Sequence, residues 1–181
     1  MNFTWFASAF DNDGLFYRLT TLLIIFGALV MAAGLEIFLA NSQAALVVGL
    51  GYVIMRIGMI TMWIRAAIGS KEHRQTAIFY AVGITIAQIY WMISIFLFPP
   101  NAVFIWAPIG WVIELSVPFF AEKLNRTPWH RHHIIERYGL LNIIVLGEVL
   151  LAVVAAFLKA LKEGHLNIGL IYMAIAAFVI T

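Results

Sequence analysis

Long apolar stretches separated by short polar segments dominate the hydrophobic pattern of this chain. Five of them are close to or above the ~20 residues that a helix needs to cross a bilayer. Helices are the default in lipid because they satisfy their own backbone hydrogen bonds. The pattern predicts an all-α fold, a polytopic transmembrane helix bundle in a single domain (1–181), with five full spans near 19–40, 44–69, 76–98, 102–121 and 138–159 and a truncated sixth at 166–181.

The segments outside the spans are short. The tripeptides Asn41-Ser42-Gln43 and Pro99-Pro100-Asn101 predict turns between antiparallel neighbours, since a short link leaves no other arrangement. Residues 1–18 predict a cytoplasmic or interfacial segment, in which Trp5, Phe6 and Phe10 serve as an interfacial aromatic anchor. The last apolar run has only 16 residues and no polar flank, so we expect the chain to be a fragment.

Composition supports a membrane protein and excludes several other classes. Hydrophobic residues make up 64% of the chain and charged residues 11%, against about 25% charged in soluble domains. The chain has no cysteine, which excludes disulfides and thiolate chemistry, and a net charge of +2, which does not suggest nucleic acid. We therefore expect the lipid bilayer as the partner, with a homo-oligomer left open, and neither a nucleic-acid partner nor a cofactor.

Lysines and arginines alternate between the two sides of the predicted bundle. The positive-inside rule places the richer side in the cytoplasm. This predicts a multi-pass protein of the bacterial cytoplasmic (inner) membrane with a cytoplasmic N-terminus. The richer side receives Arg18, Arg65, Lys71, Arg74, Lys123, Arg126, Arg131 and Arg137, and the other side receives Lys159 and Lys162.

Four spans carry a polar or charged residue at about the same depth: Arg56, Gln88, Glu114 and Glu148. A charge at the bilayer centre costs at least ~2.5–3.5 kcal/mol, so these groups should face inward and pair. Arg56 is the only cation among them, and both glutamates compete for it. One interpretation is a buried ionic latch that holds the bundle together. The other is a site that binds a proton, an ion or a substrate.

The most polar loop precedes the fifth span, at 127–133. Thr127 and Pro128 predict a helix start, with Thr127 as the N-cap, so that the fifth helix begins outside the membrane and runs to Lys159 or beyond. The polar residues near this start are either a cytoplasmic entry to the buried layer or a solvated anchor. One spaced pair, His132 and Glu136, is too little for a metal centre, and we expect no bound metal. The candidate entry residues are His130, His133, Glu136 and Arg137.

Two segments resemble the bacterial low-temperature-requirement A family. Similar residues also stand at Tyr52, Arg56, Gln88, Trp91, Glu114 and Pro118, so the likeness covers nearly the whole chain. The first segment is Trp5-Phe6 … Phe10-Asp11-Asn12-Asp13 … Arg18, similar to the family's W…FD-x-D…R pattern. The second and more specific one is Thr127-Pro128-Trp129-His130 … His133-Ile134-Ile135-Glu136-Arg137-Tyr138-Gly139-Leu140 … Ile144-Val145-Leu146-Gly147-Glu148.

The resemblance implies a member that is truncated at both ends. Family members usually begin with a further apolar segment carrying an E-L-F-F-D-L-V-like motif, and they continue through more helices after the sixth. The family takes its name from a growth phenotype in the cold and supplies no reaction, so no catalytic residues carry over. We expect transport or ion coupling through the Arg/Glu layer, or else a structural or regulatory membrane protein of cold growth. We expect no enzyme, because the chain has no nucleophile motif or metal set.

Overall fold

The computed structural model describes residues 2–10, 14–40, 45–98, 102–163 and 168–180. These residues form α-helices and no strands, which confirms the all-α fold. Five of the helices are long and apolar enough to cross a membrane. The predicted turns at 41–43 and 99–101, and the 11–13 part of the family-like motif, lie outside the described residues. In order, the helices are α1 (Asn2–Ala9), α2 (Leu15–Ala40), α3 (Ala45–Gly69), α4 (Arg74–Leu97), α5 (Val103–Leu124), α6 (Arg131–Glu163) and α7 (Ile168–Ile180).

Two compact units divide the chain, residues 1–129 and 130–181. In the first unit, α2 packs on α3, α3 on α4, and α4 on α5. The packing register shows that α2 and α3 are antiparallel, because Gly34 faces Val47 while Gly27 faces Met55. The same holds for α4 and α5, because Gly83 faces Val117 while Gly110 faces Trp91. In the second unit, α6 packs on α7.

Outward faces of the first unit are apolar. On α2, Leu22, Phe26 and Leu29 are each more than half exposed, although an exposed leucine or phenylalanine in water would be unfavourable. Lipid tails solvate such side chains without that penalty. The exposed apolar surface is therefore the lipid-facing surface that the composition predicts.

The core of the first unit is aromatic and includes α1. The Trp63 ring stacks on Tyr80 with centroids 4.1 Å apart, and Phe6 meets the same indole edge-on at 4.9 Å. Trp63 is 0% exposed and Phe6 is 4% exposed. The predicted interfacial anchor is therefore wrong for Phe6. A short amphipathic segment can bury its aromatic residues in protein as well as in headgroups, and here an aromatic pocket on α3 and α4 receives them.

The fifth span begins well before its apolar part, as the polar loop predicts. It is the 33-residue α6, whose length of about 50 Å exceeds the ~30 Å hydrocarbon core. Its start is at Arg131, however, three residues after Pro128. The N-cap prediction for Thr127 is wrong, because the hydroxyl of Thr127 is hydrogen-bonded to Glu122 instead.

Candidate functional site

An ion pair between Arg56 and Glu114 lies in the interior of the first unit. Arg56 Nη2 on α3 is 2.5 Å from Glu114 Oε1 on α5, and Arg56 is only 7% exposed. This confirms the pairing expected from charge and depth. Since a buried guanidinium without a counter-ion would be strongly unfavourable, the pair fixes the register of α5 against α3.

Tyr52 and Trp91 complete the shell around this carboxylate. Tyr52 lies one turn before Arg56, so that its hydroxyl accepts a hydrogen bond from Arg56 Nη2 and donates one to Glu114 Oε1. From α4, the indole N–H of Trp91 donates to the same oxygen over 3.0 Å. The guanidinium carbon also lies 4.6 Å from the centre of the Tyr52 ring, within reach of a cation–π interaction. Three helices thus converge on a single oxygen.

The other carboxylate oxygen is left free. Among the described residues, all hydrogen bonds to Glu114 reach Oε1, and Oε2 accepts none. The Glu114 side chain remains 28% exposed, whereas that of Arg56 is 9% exposed. A free acceptor on a carboxylate is available to a proton, a cation or a polar ligand.

A cavity of about 410 Å³ opens beside the ion pair. Its polar lining comes from Tyr52, Arg56 and Glu114, all at one place. This volume lies in the range of small-molecule sites, about 300–1,000 Å³, and such sites are mostly apolar with a few convergent polar groups. The rest of the lining is apolar and consists of Phe3, Ile24, Met55, Met59, Leu115 and Pro118.

Pro118 changes the backbone next to the ion pair. Proline has no N–H, so the carbonyl of the residue four positions earlier loses its helical hydrogen bond. That residue is Glu114. Although α5 continues from Val103 to Leu124 through both Pro108 and Pro118, Pro118 itself cannot donate to the Glu114 carbonyl.

The remaining predicted residues make no hydrogen bond to Glu114 within the part of the chain that the structure describes. Gln88 is 8% exposed on α4, and neither its Oε1 nor its Nε2 has a hydrogen-bond partner among the described residues. Glu148 lies on α6 in the second unit, and its part in the buried layer stays a prediction. His130 precedes α6, while His133, Glu136 and Arg137 lie in its first two turns. The rings of His130 and His133 are 6.1 Å apart, and an entry role for these four residues also stays a prediction.

A second partly buried carboxylate, Glu122, was missed from the sequence. Its Oε1 accepts hydrogen bonds from Trp5 Nε1 at 3.2 Å, the Tyr80 hydroxyl at 3.0 Å and the Thr127 hydroxyl at 2.9 Å. Its Oε2 accepts the Thr127 amide N–H at 3.0 Å. We call Glu122, Trp5, Tyr80 and Thr127 the Glu122 cluster. The signal was weak, because Glu122 stands where a span meets a charged loop and an exposed role is usual.

Comparison with known protein families finds a match that covers the chain. The model of one family, described as bacterial low temperature requirement A protein (LtrA), matches residues 1–181. No curated protein and no solved structure matches the chain significantly. The match agrees with the resemblance seen at the N-terminal segment and in the block before and within α6.

Proposed function

This chain belongs to the bacterial low temperature requirement A family, and we propose that it is an ion-coupled membrane transporter whose binding site is the Arg56–Glu114 cavity. The family and the multi-span helical fold establish a membrane protein. Transport is the function for which the site offers the best support. We propose that the protein is not an enzyme and uses no cofactor.

One observation carries the proposal. Glu114 lines the cavity with one oxygen bound by three donors and the other free. A group that serves only to hold helices together needs no accessible free acceptor beside an open space, and the Glu114 side chain is 28% exposed there. A site that must exchange a ligand or a proton needs such an acceptor. Intramembrane carboxylates of this kind are common in ion and proton pathways.

The proposed location follows from charge. Lys71 and Arg74 flank the link between α3 and α4, and Lys123 and Arg126 lie at the end of α5. Positive charge is concentrated in the cytoplasmic loops of membrane proteins. We therefore place these two ends, together with the N-terminus, on the cytoplasmic side of the bacterial inner membrane.

Flux through proteoliposomes tests the proposal. The purified protein is reconstituted, and uptake of protons, monovalent cations and small solutes is followed under imposed pH and ion gradients. We expect a coupled flux that Glu114→Gln abolishes or uncouples from its ion. Glu122→Gln is the matched control, since it also replaces a carboxylate on α5 but lies outside the cavity. Absence of any flux under all gradients refutes the transport function.

A structural or regulatory membrane protein is the second candidate. Its support is the convergence of Tyr52, Arg56 and Trp91 on Glu114 Oε1, an arrangement that would also serve as a latch between α3, α4 and α5. In that case Glu114→Gln lowers the stability of the protein. When variants are expressed in a deletion strain, growth in the cold should then depend only on the stability of each variant. A flux that is lost in a variant of unchanged stability decides for transport.

A further inference from the structure

The guanidinium of Arg56 is only partly used. Arginine has five N–H donors in a planar fork. Among the described residues, both hydrogen bonds from Arg56 leave Nη2, one to Tyr52 and one to Glu114. Nε is buried and has no acceptor there. An arginine that is 7% exposed and keeps free donors beside a cavity can bind a further group with two oxygens, as carboxylates do.

The volume and lining of the cavity limit the rest of a ligand that carries such a two-oxygen group. Except for the Tyr52–Arg56–Glu114 corner, the walls are apolar and come from helices α1, α2, α3 and α5. A ligand that fills about 410 Å³ therefore has an apolar body and one polar end. A strongly hydrated inorganic anion or a sugar would lose most of its hydrogen bonds on entering.

If the site is to stay electrically neutral, a proton must bind there together with this ligand. Arg56 and Glu114 together carry no net charge, so an added carboxylate would leave one uncompensated negative charge at low dielectric. The other groups that face the pair do not compensate it: Tyr52 on α3 and Trp91 on α4 are uncharged, and α1 and α2 contribute Phe3 and Ile24. One added proton restores neutrality, and Glu114 Oε2, which accepts no hydrogen bond among the described residues, is an atom that can hold it.

We propose that the cavity binds a small monocarboxylate with an apolar body together with one proton, which Glu114 holds. This rests on the proposed transport function and names its substrate class. A proton from water adds to Glu114 Oε2, the ion pair with Arg56 breaks, and the ligand's carboxylate takes the place of Glu114 on the guanidinium. On release the carboxylate and the proton leave together, and the Arg56–Glu114 pair forms again. The net charge at the site is zero both before binding and with ligand and proton bound.

Titration calorimetry of the purified protein tests the proposal with sodium hexanoate and sodium benzoate as probes and hexanamide as the neutral comparison. Runs in two buffers of different ionisation enthalpy report the protons taken up. We expect both anions to bind with an uptake of about one proton each, and hexanamide not to bind. The apparent Kd should rise about tenfold per pH unit, as the uptake of one proton with each anion requires.

Two variants separate the roles of the charges. In Glu114→Gln the competing charge is absent, so hexanoate should still bind, without proton uptake and without the pH dependence. Arg56→Gln should lose binding, whereas Arg65→Gln, on the same helix but outside this cavity, should keep it. Because Arg56→Gln removes the partner of a buried acid and can fail to fold, the Glu114→Gln result is decisive.

Each negative result overturns a different part of the proposal. Anion binding without proton uptake, or a Glu114→Gln variant that keeps the pH dependence, overturns the co-binding. Equal affinity for hexanamide overturns the role of the carboxylate. If neither anion binds while a Glu114-dependent flux of another solute persists, the substrate class is wrong and the transport function stands. If there is neither binding nor any flux, both are wrong.

Discussion

Two facing glycines set the distance between α2 and α3, and a methyl group at either one should force the helices apart. A Cβ built at Gly51 lies 2.7 Å from Met31 Cα and 2.8 Å from the carbonyl oxygen of Gly27. A Cβ built at Gly27 lies 2.7 Å from the amide nitrogen of Met55. These neighbours are backbone atoms, which cannot rotate away as a side chain can. Small residues at helix crossings of membrane proteins allow this close approach.

The size of the effect follows from these distances. The amide nitrogen of Met31 is closer still to a Cβ at Gly51, so restoring an ordinary contact of 3.4 Å moves one backbone at least about 0.7 Å from the other. Overpacking of this kind typically costs about 1–3 kcal/mol. Alanine regains about 0.5–1 kcal/mol over glycine inside a helix. We expect Gly51→Ala to lower the free energy of unfolding by about 1–2 kcal/mol, since the steric cost exceeds the gain in helix propensity.

Equilibrium unfolding in mixed detergent micelles measures this difference. Gly69→Ala, at the end of α3, is the matched control, because nothing lies within 4 Å of its added Cβ. It should leave stability unchanged or slightly higher. The double variant Gly27→Ala with Gly51→Ala should cost less than the two single changes together, since the first methyl already separates the helices. The reasoning is refuted if Gly51→Ala and Gly69→Ala unfold at the same free energy.

Three further predictions concern the charged side chains and the membrane topology. Arg56→Ala leaves the partly buried Glu114 without its cation, and should destabilise by up to about 3–5 kcal/mol in the same unfolding assay. Arg65→Ala, which loses a cation–π contact at 4.4 Å, should cost about 0.5–1 kcal/mol. Equal losses would contradict the buried pairing. Glu122→Ala strands several buried donors at about 1–3 kcal/mol each, and should speed proteolysis of the N-terminal segment; unchanged cleavage would count against that cluster. Single cysteines, in a chain that has none, should label from outside intact cells at position 43 and resist labelling at Lys71, and the reverse pattern would invert the proposed topology.

Much of the fold could be predicted because hydrophobic length is a strong signal in lipid. The five long helices lie where the five full spans were predicted, with ends that differ by up to seven residues. The helix α2 begins at Leu15 instead of residue 19, for example, because a helix does not end where its apolar part ends. The Arg56–Glu114 contact was also expected, since a cation at mid-depth has few acids to choose from. Glu148 was the other choice, and sequence depth alone could not rank the two.

Contacts at the ends of the spans could not be predicted in the same way. Thr127 has the local pattern of a helix cap, but tertiary packing gives its hydroxyl to Glu122. Trp5 has the pattern of an interfacial anchor, but its indole N–H donates to the same cluster. Local patterns report what a residue does in isolation. Trp5 and Thr127 both hydrogen-bond to Glu122, a partner that no short motif around either residue indicates.

The position of Trp5 in the chain has a consequence for biosynthesis. Its partner Glu122 comes 117 residues later, so at about 5–20 residues per second it leaves the ribosome roughly 6–23 s after Trp5. During that interval the docking surface of α1 is incomplete, because α5 supplies Glu122 to it. The aromatic side chains of α1 can meanwhile use another apolar surface, and the nearest is the bilayer interface. We therefore expect α1 to complete its docking only after α5 is made, with an earlier stay in the headgroup region as a stage of assembly.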